Sequence, residues 1–210
     1  MPLKPGDTLV VGFLGGLDRW DNNHRGVRKL ALRLRDLGLP GVHVETASNH
    51  RRGEARKLIL KALDLNRDGR LDPGEISQAR IILYGQSLGG AAVVKLAREL
   101  EARGVPVLLT VQVDSVGLND GAIPANVAVA ANLYQKEPLS ITGRKSILAA
   151  DPARTRISGN IRYSYPFWRA DVEPESWPRR IFGGGHAKME ADPAVWAAVQ
   201  GLILDALAKR

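Results

Sequence analysis

Apolar and polar positions along the chain follow two alternating periods. Short apolar runs rich in β-branched residues predict buried strands, and longer segments with apolar residues three and four positions apart predict helices. The predicted strands are TLVVGFL (8–14), GVHVETA (41–47), ARIILYG (79–85), VPVLLTVQV (105–113), ANVAVAANLY (125–134) and a short last one at Arg180–Phe182. The predicted helices cover residues 24–37, 53–63, 88–104 and 192–210, the last with Asp192 as N-cap and Pro193 at its first position.

Strands that alternate with helices predict an α/β fold. The expected architecture is a mostly parallel sheet of about five to six strands with helices on both faces. The chain suits one domain spanning residues 1–210, because no repeat or linker divides it. The stretch between the fifth strand and His186 is predicted to be irregular. It is either packing over one sheet edge or a wall of a substrate cleft, and its aromatic residues are Tyr163, Tyr165, Phe167, Trp168 and Trp177.

The excess of basic over acidic residues raises the question of whether the protein binds nucleic acid. Thirty Lys and Arg residues against 22 Asp and Glu residues give a formal net charge of +8. The basic residues are scattered, so a solvated basic surface is favoured over a nucleic-acid interface. The absence of cysteine excludes disulfides and thiolate metal sites and leaves the compartment undecided. No stretch approaches the ~20 apolar residues of a transmembrane segment, and the N-terminus lacks a signal-peptide pattern, so a soluble chain is expected.

The segment GQSLG, centred on Ser87, matches the G-x-S-x-G motif of a strand-to-helix turn. Such a turn holds the serine in a strained conformation, and Gly85 and Gly89 pass so close together that side chains would clash. An apolar strand precedes the motif and a helix follows it, as the motif requires. Ser87 is therefore predicted to be a nucleophile, with the backbone N–H of Leu88 as a donor to a developing oxyanion. The alternative is a glycine-rich turn whose serine has no chemical role.

On this elbow and its strand-helix context, the chain resembles the α/β-hydrolase family over most of its length. It looks like a minimal member, similar to cutinases and small lipases, that lacks the first strands of the full fold. The resemblance implies a catalytic triad in the order nucleophile, acid, histidine, and a second oxyanion donor in the loop after the first strand. The segment GFLGGLDRW fits that loop, so Phe13 or Leu14 is expected to donate a backbone N–H. Residues 18–20 would then line the mouth of the cleft.

The base of the triad is sought downstream of Ser87. A serine hydroxyl needs a base to become a nucleophile, and histidine suits that role at neutral pH. His186 lies in FGGGHAKMEADP, predicted as a glycine-rich loop before the last helix, where the family places its histidine. His24 and His50 fall in predicted loops upstream of the serine, and His43 falls in a predicted strand. His186 is therefore the predicted base, and the alternative is a histidine on a surface loop.

Asp114, at the end of the fourth predicted strand, is the predicted acid. A carboxylate there would project from the same sheet edge as Ser87 and hold the imidazole in the required tautomer. Most family members carry the acid one strand later, but the fifth strand here ends in NLYQKE, with no Asp at its tip. Glu137, Asp151 and Asp171 stay open as alternatives, and so does an Asp114 that only caps a turn.

The segment DLNRDGRLDPGE (64–75), between a helix and the nucleophile strand, matches the EF-hand calcium loop D-x-[DN]-x-[DN]-G-x5-E at every defined position. A strand, and not a second helix, is predicted after Glu75, and no second loop is present. A structural site is therefore favoured over a calcium sensor. The alternative is a polar turn capped by Asp64 and Asp68. The predicted Ca²⁺ ligands, at loop positions 1, 3, 5, 7, 9 and 12, are Asp64, Asn66, Asp68, Arg70 through its carbonyl, Asp72 and Glu75.

Three functions are compatible with these motifs. The first is a serine hydrolase of small-molecule or lipid carboxylic esters, esterase- or lipase-like, with a Ser-His-Asp triad and a structural Ca²⁺. Thioesterase, peptidase and acyltransferase chemistry would use the same triad. The second is a catalytically inactive, calcium-stabilised binding module on a hydrolase scaffold. The third is peripheral contact with anionic surfaces, driven by the net charge of +8. A calcium loop of this kind fits an exported protein, but the compartment, the oligomeric state and the acyl and alcohol groups stay open.

Overall fold

In the computed structural model, which describes residues 2–137, 141–165 and 184–209, strands and helices alternate along the chain. The strands are β1 (Thr8–Leu14), β2 (Val42–Ser48), β3 (Ile81–Gln86), β4 (Val107–Val113), β5 (Ala122–Ile123), β6 (Val127–Gln135), β7 (Leu148–Ala149) and β8 (Arg156–Tyr163). The helices are α1 (Gly26–Asp36), α2 (Arg52–Leu63), α3 (Pro73–Ser77), α4 (Leu88–Glu101), α5 (Gly184–Ala191) and α6 (Pro193–Ala208), with a 3₁₀ turn at Asn49–Arg51.

Six of these strands form one parallel sheet in the order β2-β1-β3-β4-β6-β8. The predicted α/β fold, with a mostly parallel sheet and flanking helices, is confirmed. β1 and β3 are buried along their whole length, as expected for apolar strands covered on both faces. β5 and β7 pair separately in a two-stranded sheet. Because the six strands run in the same direction, their carboxyl ends meet at one edge, where α/β proteins place their binding sites.

The sheet separates two apolar layers. On one face α2 and α4 pack against it through side chains such as Ile59 and Leu96. On the other face α1 and α6 do so through side chains such as Leu30 and Trp196. Each fully buried side chain of this size contributes about 1.5–3 kcal/mol to the folded state. These layers make the sheet a rigid support for the loops at its carboxyl edge.

Two predictions about the C-terminal half of the chain are wrong. The stretch after the fifth predicted strand is not irregular throughout, because β8 extends the sheet beside β6. Its sequence, RISGNIRY, has no apolar run, since it is an edge strand with many exposed residues. His186 lies in the first turn of α5 and not in a loop. Glycine has a low helix propensity, so the sequence hides this helix. The predicted strand at Arg180–Phe182 lies outside the described residues.

The segment after the acidic loop also differs from prediction. A strand is predicted directly after Glu75, but the short helix α3 comes first. Its start signals are present in the sequence. Asp72 is the N-cap and forms a capping box with Glu75, and Pro73 occupies the first helical position. With five residues, α3 is much shorter than the second helix of an EF-hand.

The last two helices meet at a bend. α6 begins as predicted, with Asp192 accepting the N–H of Ala194 at 2.8 Å and Pro193 in its first turn. α5 and α6 form an angle of 57°. Within the described residues, no single helix has the length and apolar composition to cross a membrane, and this bent pair passes only when both members are counted together.

Candidate active site

Ser87 occupies the turn between β3 and α4 in a backbone conformation that few residues adopt. Its φ is 57° and its ψ is −126°, and a conformation of this kind costs of order 1–3 kcal/mol for a residue with a Cβ atom. The neighbouring glycines make the turn sterically feasible. A Cβ atom on Gly85 would lie 2.5 Å from the carbonyl oxygen of Gly89, and one on Gly89 would lie 2.0 Å from that of Phe13. The chain therefore forms the tight turn that the motif requires.

His186 meets Ser87 at the carboxyl edge of the sheet. Its Nε2 atom lies 3.0 Å from the Oγ atom of Ser87, a hydrogen-bond distance. The two residues are 99 positions apart in the sequence, so the packing of α5 against the sheet brings them together. The imidazole is mostly buried. A base at this distance can accept the serine proton directly.

Asp114 lies on the other side of the imidazole. Its Oδ2 atom is 2.6 Å from the Nδ1 atom of His186. The carboxylate is fully buried, and it also accepts the N–H of Gly143 at 2.8 Å and the Nε2–H of Gln135 at 3.0 Å. These donors satisfy a group that would otherwise be costly to bury. An Nδ1–H that donates to Asp114 leaves Nε2 as an acceptor, and this is the tautomer that a base for Ser87 needs.

The other candidate acids have different partners. Glu137 accepts the N–H of Tyr165 at 2.8 Å and the hydroxyl of Ser164 at 3.2 Å. Asp151 accepts the N–H of Ala153 at 3.0 Å and so caps a local turn. Asp171 lies outside the described residues. Of the candidates within the described residues, Asp114 is the one whose contact with His186 is present.

Two backbone segments flank Ser87 and could stabilise an oxyanion. Leu88 is the first residue of α4, and the first N–H groups of a helix have no acceptor within it. Phe13 and Leu14 are buried residues of β1 that pair with β2. The chain also approaches the serine one residue later, because a Cβ atom on Gly15 would lie 2.9 Å from the Cβ atom of Ser87.

Gln86 is a site neighbour that the motif analysis does not single out. Its Nε2 atom lies 3.3 Å from the Nε2 atom of His186, and its side chain is almost fully buried. A Cβ atom on Gly15 would lie 2.7 Å from its Oε1 atom. A polar residue at the end of an otherwise apolar strand, directly before Ser87, is the sequence signal that could have identified it.

The remaining histidines have other surroundings. His43 lies on β2, as predicted, and its Nε2 atom is 2.8 Å from the carboxylate of Asp7 at the amino end of the sheet. His50 lies in the 3₁₀ turn that follows β2. His24 precedes α1. His186 is therefore the histidine that the fold brings to Ser87.

The residues expected to line a cleft fall into two groups. In the loop after β1, Trp20 is half exposed and the guanidinium of Arg28 lies 5.4 Å from its ring centroid. In the aromatic-rich stretch, the hydroxyl of Tyr165 donates to buried Asp192 at 2.9 Å, which makes this tyrosine part of the core. Of the aromatic residues expected in this stretch, Phe167, Trp168 and Trp177 lie outside the described residues.

The acidic loop, residues 64–75, turns its polar side chains toward its own backbone. Asp64 accepts the N–H groups of Asp68 at 3.2 Å and of Gly69 at 3.0 Å. Asp72 accepts the N–H of Glu75 at 2.9 Å. Glu75 is buried and in turn accepts three N–H groups, those of Leu65, Asn66 and Asp72, at 2.7, 3.2 and 3.1 Å.

The acidic loop lies at the opposite end of β3 from Ser87. It precedes the amino end of that strand, whereas Ser87 follows the carboxyl end. Six strand residues at a rise of about 3.3 Å separate the two sites by roughly 20 Å. In the described part of the chain, no three His, Cys, Asp or Glu side chains converge closely enough to hold a metal ion. The loop nevertheless has the ligand types that Ca²⁺ prefers, namely carboxylate, amide and backbone carbonyl oxygens.

Comparisons with known proteins support the architecture. No family model matches the chain, and no curated protein matches its sequence. Among solved structures, a novel cutinase-like protein from Cryptococcus sp. superposes with a TM-score of 0.52 at 12% sequence identity. The match covers 96% of this chain and 95% of that one. At this identity the similarity shows the fold alone, and it agrees with the parallel sheet and flanking helices described above.

Proposed function

We propose that the protein is a serine hydrolase that cleaves carboxylic esters through an acyl-enzyme. The observation that carries the proposal is the series of contacts from Ser87 Oγ to His186 Nε2, and from His186 Nδ1 to Asp114 Oδ2. The same three groups in the same order perform acyl transfer on several unrelated folds, so the geometry supports the proposal independently of the fold. The cutinase-like description of the superposed structure fits an ester substrate.

In the first half-reaction, Ser87 Oγ attacks the ester carbonyl carbon while His186 Nε2 takes the hydroxyl proton. Asp114 keeps the imidazole oriented and stabilises its charged form. The developing oxyanion accepts the backbone N–H of Leu88 and a second N–H from Phe13, Leu14 or the adjoining chain at Gly15. Collapse of the tetrahedral intermediate breaks the bond to the alcohol oxygen. His186 gives its proton to the departing alcohol.

In the second half-reaction, water replaces the alcohol. His186 Nε2 takes a proton from the water as its oxygen attacks the acyl carbon, and the same N–H groups hold the second oxyanion. Collapse then releases the carboxylic acid and returns the proton to Ser87 Oγ. Amines, thiols or second alcohols could replace water in this step, so the residues above are common to hydrolases and acyltransferases.

A fluorophosphonate probe tests whether Ser87 is activated. Such a probe forms a covalent bond only with a serine that a base has activated, and it requires no knowledge of the substrate. The proposal predicts one labelled peptide containing Ser87 in the wild-type protein and none in Ser87→Ala. Ser115→Ala serves as the matched control, because Ser115 is a buried serine whose hydroxyl bonds to Asp120. An unlabelled wild type would favour the non-catalytic binding module.

We also propose that the acidic loop binds a structural Ca²⁺. The donor set supports this in kind, because side-chain oxygens of Asp64, Asn66, Asp68 and Glu75 and the carbonyl of Arg70 suit a hard cation, with Asp72 acting through a water. Ion binding requires a local rearrangement, because the Glu75 carboxylate must release the backbone N–H groups that it accepts and bind the ion instead. When bound, the ion would offset the repulsion among the carboxylates. The distance to Ser87 keeps it out of the ester reaction.

Thermal unfolding in calcium and in excess EGTA tests this second proposal. An ion that binds only the folded state at 100 times its dissociation constant contributes about 2.7 kcal/mol, so the wild-type Tm should rise clearly with Ca²⁺. The double variant Asp64→Asn/Asp68→Asn should show no rise. Asp36→Asn is the matched control, since this exposed residue at the end of α1 should respond like the wild type. A wild-type Tm that is equal in calcium and EGTA contradicts the proposal.

A further inference from the structure

A mostly buried guanidinium joins two carboxylates beside the Ser87 site. The Nη2 atom of Arg25 lies 2.6 Å from the Oδ2 atom of Asp18, and its Nη1 atom lies 3.0 Å from the Oε2 atom of Glu190. The three side chains are 17%, 16% and 9% exposed, respectively. Burial at this level makes the geometry of the ion pairs specific, because an unpaired charge here would be costly. We call these three residues the Arg25 clamp.

The two carboxylates of the Arg25 clamp belong to segments that flank Ser87. Asp18 lies in the turn after β1, where its N–H donates to the carbonyl of Gly15 at 3.2 Å. Gly15 is the residue that passes against the Cβ atom of Ser87. Glu190 lies on α5, four positions and therefore about one helical turn after His186. The Arg25 clamp thus connects the chain beside the nucleophile to the helix that carries the base.

α5 is a short helix that needs contacts with the rest of the fold to be stable. It has eight residues and begins with glycines, so its intrinsic stability is low. Glu190 is held through its backbone as well, because its carbonyl accepts the indole N–H of Trp196 at 2.6 Å. Trp196 packs so tightly on the start of α1 that a Cβ atom on Gly26 would lie 2.1 Å from its ring. Contacts of Glu190 with Arg25 and Trp196 therefore hold α5 against the start of α1, and α5 carries His186.

We propose that Arg25 and Glu190 are positioning residues that hold His186 at hydrogen-bond distance from Ser87. This inference rests on the proposed serine hydrolase function. A misplacement of about 1 Å between reacting groups costs on the order of 10²-fold in rate, so a loose α5 would lower catalysis without removing any catalytic group. Neither residue touches the substrate carbonyl in the mechanism above. Their contribution should therefore appear in kcat and not in KM.

The charges around Glu190 add a pH readout. Burial raises the pKa of Glu190, and the nearby carboxylate of Asp18 adds to this, while Arg25 and His186 oppose it. Because the folded-state pKa is above the ordinary value, Glu190 takes up a proton at a higher pH than a free glutamate does. A protonated Glu190 is neutral and no longer forms an ion pair with Arg25. A rate difference between the wild type and a neutral Glu190→Gln variant should consequently shrink as the pH falls through that range.

The test compares Glu190→Gln with Glu99→Gln in the full chain. Glu99 on α4 forms a similar cluster with two residues of α2, Arg52 at 2.8 Å and Arg56 at 3.0 Å, so it controls for the loss of a partly buried ion pair. The measurements are the rate of fluorophosphonate labelling at Ser87, and kcat and KM for a 4-nitrophenyl ester. We expect Glu190→Gln to lower the labelling rate and kcat about 10-fold or more, with KM within about twofold. Glu99→Gln should stay within about twofold of the wild type.

Arg25→Lys supplies a second variant that keeps the charge. A lysine ammonium cannot bridge two carboxylates with the geometry of a guanidinium, so it should restore only part of the rate lost in Arg25→Met. If Glu190→Gln does not fold, this pair carries the comparison. Equal labelling rates in Glu190→Gln and Glu99→Gln, or in Arg25→Met and the wild type, would overturn the positioning role while leaving the hydrolase proposal intact. A wild type in which Ser87 does not label would overturn both.

Discussion

The serine elbow and the acidic loop are both short motifs, but their side chains find hydrogen-bond partners in different parts of the chain. Ser87 acquires its partners from segments far away in the sequence, since His186 is 99 positions from it and Asp114 is 72 positions from His186. The acidic loop has all of its polar groups within residues 64–75, and most of them bond to backbone N–H groups of the same loop. One motif is completed by tertiary structure, and the other is satisfied locally.

This difference determines how strongly each sequence motif supports a function. A chance G-x-S-x-G match has no reason to lie 3.0 Å from a histidine that is itself 2.6 Å from a buried carboxylate. A chance or degenerate acidic loop, by contrast, can satisfy its carboxylates with a capping box and turn hydrogen bonds, without a cation. The structure thus strengthens the hydrolase proposal more than the calcium proposal.

The largest effect is expected from Ser87→Ala. Removing the nucleophile should lower kcat for ester hydrolysis by about 10⁶-fold, or to the uncatalysed background, because the remaining groups cannot form the acyl-enzyme. The matched change in the other motif, Asp68→Ala, should leave kcat within about twofold in saturating calcium, since the loop lies roughly 20 Å away. Initial rates with a 4-nitrophenyl ester measure both. Equal losses in the two variants would contradict the separation of the two sites.

Asp114→Asn should give the next largest effect. An amide at this position favours the wrong tautomer of His186, and the expected loss in kcat is about 10⁴-fold. Asp151→Asn and Asp171→Asn control for two of the other candidate acids and should each stay within about twofold. The test is a comparison of kcat among the three purified variants. Retained activity in Asp114→Asn, with a loss in one of the controls, would assign the acid elsewhere.

Glycine substitutions compare the backbones of the two motifs. Gly89→Ala places a Cβ atom 2.0 Å from the carbonyl oxygen of Phe13, in a rigid part of the core. It should lower the free energy of unfolding by about 3 kcal/mol. Gly69→Ala, in the acidic loop, meets nothing within 4 Å but has a φ of +81°. The strain of that φ alone should cost about 1–2 kcal/mol. Urea denaturation measures both values, and a larger cost at Gly69 would reverse the comparison.

The smallest expected effect distinguishes the stability contribution of the capping box from that of a bound Ca²⁺. In EGTA, Glu75→Ala removes the side chain that bonds to Leu65, Asn66 and Asp72, and it should cost about 1 kcal/mol. In calcium, the same variant should lose that contribution and also the stabilisation that the ion gives the wild type. The Tm difference between Glu75→Ala and the wild type is therefore expected to grow when Ca²⁺ is added. A difference that is the same in both buffers would mean that the loop is only a capped turn.

The sequence was most informative where burial and periodicity coincide. The apolar strand IILYGQ and the glycines around Ser87 fix the elbow locally, so Ser87 could be predicted from sequence alone. Chain order and strand ends predict His186 and Asp114 as partners of Ser87, and the fold brings the three side chains into contact. The helix around His186 is not predicted, because its first turn is rich in glycine. The edge strand β8 was missed because its residues are largely exposed and carry no apolar run. Local patterns do not encode which edge strand a sheet accepts.

Contacts between polar residues that are distant in the sequence are the hardest features to predict from the sequence. Nothing in the sequence links Arg25 to Glu190, which lies 165 positions away, because each is one charged residue among many until the fold places the N-cap of α1 beside α5. Gln86 carried a weak signal, as a polar residue in an apolar strand, but its contact with His186 depends on where α5 lies. These contacts depend on tertiary geometry, and the fold supplies them only after the main elements are in place.

The central claim is that Ser87 forms an acyl-enzyme, and trapping that intermediate tests it most directly. The wild-type protein is mixed briefly with a 4-nitrophenyl ester, quenched in acid and mapped by peptide mass spectrometry. The account predicts a burst of nitrophenol equal to the enzyme concentration where deacylation is slow, one acyl group on the peptide that contains Ser87, and neither in Ser87→Ala. Ester turnover with no acyl group on Ser87, or with the same acylated peptides in both proteins, would contradict the account.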